Sequence, residues 1–351
     1  ILYYAFIGET EMIWKKVLYF IGIVLCCSTG FLIAKTQATV TDSLDVIQKD
    51  YDTTLSTVDL KGIKVNSDSD IVNILLVGND YREEAGYGAS GLTDTMLIAT
   101  LDKKHNALKL TSLMRDQLVD IPGHGQNKLN AANSWGGIKL LYQTIAQNYN
   151  IKLDGYVEVS FQAFVRVVND VGGVDLELTQ SEADYLNSTN YIRKKEYRNV
   201  KAGKQTLNGS QALGYCRIRK EGTTINGLRD DYGRTWRQRT TINAIFDKVK
   251  KLPMSEWLHI CKDVLKYVKT DLKNKQIIGY VKDVVFMGTT DIKQLQIPYP
   301  HTFGSGSVPG VGSCLTIDAA QQSAILKQFI FDYNGKKEFE YNDGTTALPA
   351  Q

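Results

Sequence analysis

Six arginines fall between Gly214 and Arg239, in GYCRIRKEGTTINGLRDDYGRTWRQR, within a chain whose formal net charge is only +3. They are Arg217, Arg219, Arg229, Arg234, Arg237 and Arg239, and Asp230 and Asp231 sit among them. Read as an extended strand, the segment points Arg217 and Arg219 to one face. Read as a helix, its second half puts Arg234, Arg237 and Gln238 on a shared face. A strand pair opposite a helix stripe makes a cleft lined with planar, permanently charged forks. Such forks match phosphate bidentately, which an ammonium does not. The competing reading is a solvated basic surface balanced by Glu221, Asp230 and Asp231. The interleaved Ile218, Tyr232 and Trp236 speak against it.

Two carboxylates stand where a cation would be useful. Asp80 follows the apolar run IVNILLVG in GNDYR, and Asp94 precedes TMLIATL. Loops at strand ends are where α/β folds hold ligands. Carboxylates there without His or Cys suit a hard cation such as Mg2+, with Mn2+ as a substitute. The alternative makes Asp80 a turn residue and Asp94 a cap. Arg115 ends a third apolar run, in SLMRDQ. Other chemistries lack their residues. The Gly-rich stretch GYGASG has no Lys-Ser/Thr of a phosphate-cradling loop, and no G-x-S-x-G elbow occurs. The four histidines have no Ser or Cys partner pattern, and none of the cysteines forms a C-x-x-C pair. Near-neutral charge argues against a general polyanion binder, so no nucleic acid is expected.

These residues need a scaffold, and the pattern supplies one. Ile71–Gly78, Thr95–Leu101 and Ala107–Leu113 read as strands, the last two as a hairpin. Helical stripes cover Ser134–Tyr149 and Phe161–Val171, the latter closed by Gly172-Gly173. Val174–Leu178 alternates like a strand. Arg234–Lys251, Met254–Val268, Lys273–Phe286 and Ile317–Asp332 read as helices, with a short strand over Ile292–Ile297. The expected class is α/β: an α-β-α sandwich with a central mixed sheet.

Val17–Ala34 is an uncharged run of 18 residues preceded by Lys15 and Lys16. It predicts one transmembrane helix with a short cytoplasmic amino end and an extracellular carboxyl-terminal domain. A cleaved signal peptide is the second reading. The expected organisation is an anchor over 1–35, an extracellular stem over 36–70, a catalytic domain over 71–335 and a tail over 336–351. Cys216, Cys261 and Cys314 lie outside the span and make no disulfide framework.

Seven blocks in order then resemble one family. They are LLVGNDYR (75–82), LTDTMLIATLD (92–102), LTSLMRD (110–116), KLNAANSWGG (128–137), FQAFVRVVNDVGGVDLEL (161–178), LNGSQALGYCRIR (207–219) and DYGRTWRQR (231–239). Together they resemble the LytR–CpsA–Psr family of membrane-anchored glycopolymer transferases. The resemblance implies transfer of a glycopolymer, with one phosphate, from an undecaprenyl pyrophosphate carrier to a peptidoglycan hydroxyl. It implies Mg2+ on Asp80 and Asp94. It implies a pyrophosphate gripped by Arg82, Arg115, Lys128, Arg217, Arg219, Arg234, Arg237 and Gln238. Asp231 would orient Arg234 or take the acceptor's proton. Leu92-Thr93 departs from the family's serine before the second aspartate, and the link from Arg219 to Asp231 is long. A polyprenyl pyrophosphate hydrolase and a non-enzymatic lipid-binding regulator need the same cleft. The long apolar tail needs a dry channel, and the helices 138–149 and 161–171 are candidates to wall it.

Overall fold

The computed structural model describes residues 44–45, 47–50, 54–60, 62–79, 95–219, 222–253, 256, 260, 265–289 and 291–341. The strands in chain order are β1 (Gln48–Lys49), β2 (Ile71–Asn79), β3 (Thr95–Asp102), β4 (Ala107–Leu113), β5 (Leu118–Ile121), β6 (Gly125–Lys128), β7 (Gly155–Ser160), β8 (Val174–Leu178), β9 (Gly203–Leu207), β10 (Val268–Thr270), β11 (Ile292–Ile297), β12 (Phe303–Val308) and β13 (Gly312–Ile317). Seven form one mixed sheet in the order β1-β10-β7-β2-β3-β4-β11, and the others pair as three two-stranded ribbons. The main helices are α1 (Leu129–Tyr149), α2 (Phe161–Asp170), α3 (Gln180–Ser188), α4 (Gly209–Arg217), α5 (Asp230–Val249), α6 (Asn274–Met287) and α7 (Ala319–Lys327).

Strands β2, β4, β7 and β11 run in one direction, with β3 antiparallel between β2 and β4. Four carboxyl ends and the start of β3 therefore meet at one end of the sheet, the end where α/β folds place ligands. The two faces are covered differently. Ile71, Leu75, Val77, Met96, Ile98 and Leu113 point to the side packed by α1 and α7, in the largest apolar cluster. Val72, Leu101 and Leu108 point to the opposite side, where α5 and α6 lie. This is the three-layered α-β-α arrangement with a mixed central sheet. The strand period of two sends alternate residues to separate cores, which is why β2 reads as a continuous apolar run.

Within β4 every residue is buried, including Lys109. Its ammonium donates to Asp102 Oδ2 at 2.6 Å and to the Ile330 carbonyl at 2.8 Å, so the charge is paired and hydrogen-bonded. Gly137, at φ 62°, bends α1 in a backbone region costly for any residue with a Cβ. A third apolar cluster joins α2, α3 and α4 to β8 and β9 through Val168, Leu176, Leu186 and Tyr215.

Several expectations change. Residues from Leu44 onward are not a free stem: Leu44, Ile47 and Leu55 are buried, and β1 pairs with β10. Arg217 and Arg219 are not on a strand; Arg217 ends α4, and Ile218 is its cap. Of the helix expected over 254–268, Val268 belongs to β10 and most of the rest lies outside the described residues. Ile317 closes β13, and α7 continues into a wider π-type turn, Gln328–Asp332. Phe339, in the expected tail, packs on Tyr299 and Phe329. Of the two helices expected to wall a lipid channel, α1 is a core element, with Leu141, Ile145 and Tyr149 sealed under the sheet, while α2 buries only Ala163 and Val168. The predicted span over 17–34 lies outside the described residues, and no described helix is long and apolar enough to cross a membrane.

Candidate functional site

At the carboxyl end of β4 the chain places Arg115 and Asp116 side by side, and α5 begins above them with Asp231 and Arg234 one turn apart. Arg219 reaches both carboxylates, with Nη2 3.2 Å from Asp116 Oδ2 and Nε 2.9 Å from Asp231 Oδ1. Arg234 Nη2 donates to Asp231 Oδ2 at 2.9 Å. Arg115 Nε lies 3.6 Å from Asp116 Oδ2 and 3.8 Å from Asp231 Oδ2. Lys128, at the end of β6, brings its Nζ to 3.6 Å from Asp116 Oδ1. Four cations thus surround two carboxylates, and the surplus positive charge is what a bound anion would neutralise.

The two carboxyl groups are also within hydrogen-bonding reach of each other. Burial pushes the Asp231 carboxyl above the ordinary carboxylate range, and the neighbouring Asp116 adds to this, against the pull of Arg234, Arg219 and Arg115. At Asp116 burial acts in the same upward direction, but Arg115, the hydrogen bond with Asp231, Lys128 and Arg219 outweigh it and leave that carboxyl below its ordinary value. A proton shared by the pair therefore resides on Asp231. Asp231 Oδ1 is buried and accepts no hydrogen bond: Arg219 Nε approaches it closely but off the N–H direction. An acceptor atom left open beside a cationic cluster suits transient proton uptake.

The other residues singled out in the sequence divide. Gln238 lies one turn after Arg234 on α5, on the same face, and is buried. Arg217 is exposed and stands apart from the carboxylate pair, its guanidinium 5.3 Å from the Phe161 ring centroid and 5.7 Å from that of Tyr191. Phe161 directly follows β7, whose Ser160 pairs with Asn79, so Arg217 still belongs to the same sheet end. Arg237 does not face the cleft. It is fully buried, with Nε 2.7 Å from Glu182 Oε1 and its terminal nitrogens on the carbonyls of Ile218 and Gly222. Glu182 also closes the capping box of α3 with Thr179. Arg237 therefore ties α5, α3 and the segment after Arg219 together as an internal strut.

Asp80, Arg82 and Asp94 lie outside the described residues. Gly78 pairs with Thr95, so the segments that carry the two aspartates leave and enter the sheet side by side. Among the described residues no group of three or more His, Cys, Asp or Glu could hold a metal.

Asp116 and Arg239 escaped the sequence reading. The Arg-Asp doublet ending β4 was the available signal for the first. Arg239 is buried, and donates only to neutral partners, Ser112 Oγ at 2.8 Å and Gln294 Oε1 at 3.2 Å. Burial lowers its pKa to about 10. It borders a groove of about 1000 Å³ along the open edge of β11, lined by Tyr232, Trp236, Tyr299, His301 and Phe303 among others.

On the other side of the sheet Ile74 on β2, Phe246 on α5, and Tyr280, Val284 and Met287 on α6 pack as a half-buried apolar layer around Val72, Leu101 and Leu108.

The chain is similar to known proteins in sequence and in fold. A polyisoprenyl-teichoic acid–peptidoglycan teichoic acid transferase, TagU, of Enterococcus faecalis (strain ATCC 700802 / V583) is 33% identical over 264 residues, covering 74% of this chain and 76% of that protein. Its namesake in Bacillus mycoides (strain KBAB4) is 28% identical over 318 residues, covering 89% and 96%. Among solved structures, one described as TagT bound to LIIa-WTA superposes with a TM-score of 0.60 at 26% identity, covering 76% of this chain and 92% of that one. The sequence profile of the LytR_cpsA_psr family matches residues 31–327, most of the chain's length. The chain belongs to the LytR_cpsA_psr family.

Proposed function

We propose that this protein transfers a glycopolymer, together with one phosphate, from a polyisoprenyl pyrophosphate carrier to a hydroxyl of peptidoglycan. The single observation that carries the reading is the convergence of Arg115, Lys128, Arg219 and Arg234 on the carboxylate pair at the sheet end. The names of the two transferase relatives, and a related structure described with a teichoic acid precursor, support the substrate class.

The geometry suggests a division of labour. The guanidinium groups grip the pyrophosphate oxygens, and the acceptor hydroxyl attacks the phosphorus that bears the glycan. The P–O bond to the lipid's phosphate breaks, its electron pair leaving with the polyisoprenyl monophosphate, while the hydroxyl proton passes to Asp231 Oδ1. Phosphoryl transfer of this kind needs charge neutralisation and alignment, not a covalent nucleophile. Asp80 and Asp94 would hold Mg2+, which supplies further neutralisation of the pyrophosphate. The carrier's tail lies against the half-buried apolar side chains of α5 and α6, and the groove beside Tyr232 and Trp236 receives saccharide. The run over 17–34 anchors the chain, with the catalytic domain on the outer side of the membrane.

The test is product analysis with a lipid-linked glycopolymer in vesicles, with and without peptidoglycan. The expected products are a glycopolymer–peptidoglycan phosphodiester and lipid monophosphate, formed only when both substrates are present. Equal release of lipid monophosphate without acceptor would make the protein a hydrolase instead.

A further inference from the structure

Helix α6 is anomalous: it spans 14 residues, about half of them large and apolar, and none is buried. Its inner arc, Ile277, Tyr280, Val284 and Met287, packs on the domain. Its outer arc carries Val281, Val285 and Phe286, exposed by 47%, 54% and 85% and so among the most exposed large hydrophobics of the described chain. Lys275 and Lys282 are exposed on that same arc by helical spacing. A soluble surface does not gather apolar side chains this way without a use for them.

We infer that the outer arc of α6 rests on the anionic membrane surface. Basic residues interleaved with Val and Phe are the composition of an interfacial helix, whose apolar side sinks into the headgroup boundary while lysines meet lipid phosphates. The chain path fixes which surface this is. Leu44 and Ile47 pack in one cluster with Ile277 and Ile278, and Asn274 Nδ2 donates to Asp45 Oδ1 at 2.6 Å. The anchor proposed above ends at Ala34, and the intervening stretch of chain spans at most about 35 Å even fully extended. The amino end of α6 is therefore tethered within that distance of the bilayer. The inference rests on the anchored lipid-transferase reading, but it concerns a surface that takes no part in the chemistry.

The test uses the full chain in proteoliposomes, with a photo-crosslinking benzophenone amino acid placed at position 281, 285 or 286, and at exposed position 139 on α1 as the control. Flotation isolates the vesicle-bound protein before irradiation. The expected result is a phospholipid adduct at least tenfold more abundant at 286 than at 139. It should rise with the fraction of phosphatidylglycerol and fall severalfold when K275E and K282E are combined. Equal adduct yields at 286 and 139, or an adduct to a second copy of the chain in place of lipid, would overturn it. Crosslinking requires no turnover. A chain that captures lipid at 286 yet transfers nothing would refute the transferase reading alone.

Discussion

At the scale of single residues, the account separates groups that meet the anion from groups that hold them in place. Asp231→Asn keeps the size of the side chain but removes the proton acceptor, so turnover should fall by about two to four orders of magnitude with little change in donor affinity, as read by kcat against KM. Because burial raises Asp231, the base must lose its proton at a pH above the ordinary carboxylate range. The acid limb of the kcat/KM profile should therefore lie higher than for a solvent-exposed aspartate, and an Asp116→Asn variant, which removes a like charge, should move that limb downward. Arg237 belongs to the second group. Its removal leaves Glu182 buried without its cation, and Arg237→Ala should cost about 3–5 kcal/mol in a denaturant titration before any effect on chemistry can be assigned. Spacing singled out Arg115 at a strand end and Arg234 on a helix, because those patterns are local, while Asp231 came from the family resemblance; the structure brings all three together with Arg219. Spacing misassigned Arg237, since whether an arginine on α5 points to the cleft or to Glu182 on α3 depends on a contact between segments far apart in sequence. Asp116 was missed for the same reason: its importance lies in meeting Arg219, which no local pattern encodes.

At the scale of elements, α5 is the organising piece. Asp231, Arg234 and Gln238 face the sheet end, while Thr235 and Arg239 lock the helix to β11 and β4 through Gln296, Gln294 and Ser112. Between α5, α6 and the sheet, Ile74, Phe246, Tyr280, Val284 and Met287 stay only half-buried. A carrier tail lying against them would be displaced by a bulky residue on the facing strand. Ala99→Trp, on the strand beneath α5 and α6, should weaken binding of a long-chain polyisoprenyl pyrophosphate at least tenfold, measured by titration, and leave the melting temperature within a few degrees. An unchanged affinity would place the tail elsewhere. The strands over 71–78, 95–101 and 107–113 were legible because each is a continuous apolar run bounded by turn residues. The strand β7 was not, since GYVEVS is short and half polar. The end of α4 was read as a strand because Arg217-Ile218-Arg219 alternates, although the capping box of Asn208 and Gln211 starts a helix upstream that carries through to Arg217.

At the scale of the molecule, parallel strands gather distant segments at one end, and buried ion pairs keep the layers in register. Asp102 joins β3 to Lys109 on β4, both fully buried, and to His105 at the turn between them. Asp102→Ala would strand a buried ammonium, and a loss of about 3–5 kcal/mol is expected by denaturant unfolding. Chelation of divalent ions should abolish transfer while leaving the unfolding midpoint nearly unchanged, since the proposed ligands Asp80 and Asp94 are not part of strands β2 and β3. The measurement that bears most directly on the whole account is headgroup discrimination by the arginine cluster. Titrated with a short-chain polyprenyl pyrophosphate and its monophosphate, the protein should bind the former at least tenfold more tightly, and Arg219→Ala combined with Arg115→Ala should erase that preference. Equal affinity for the two headgroups, or a preference that survives both substitutions, would contradict it.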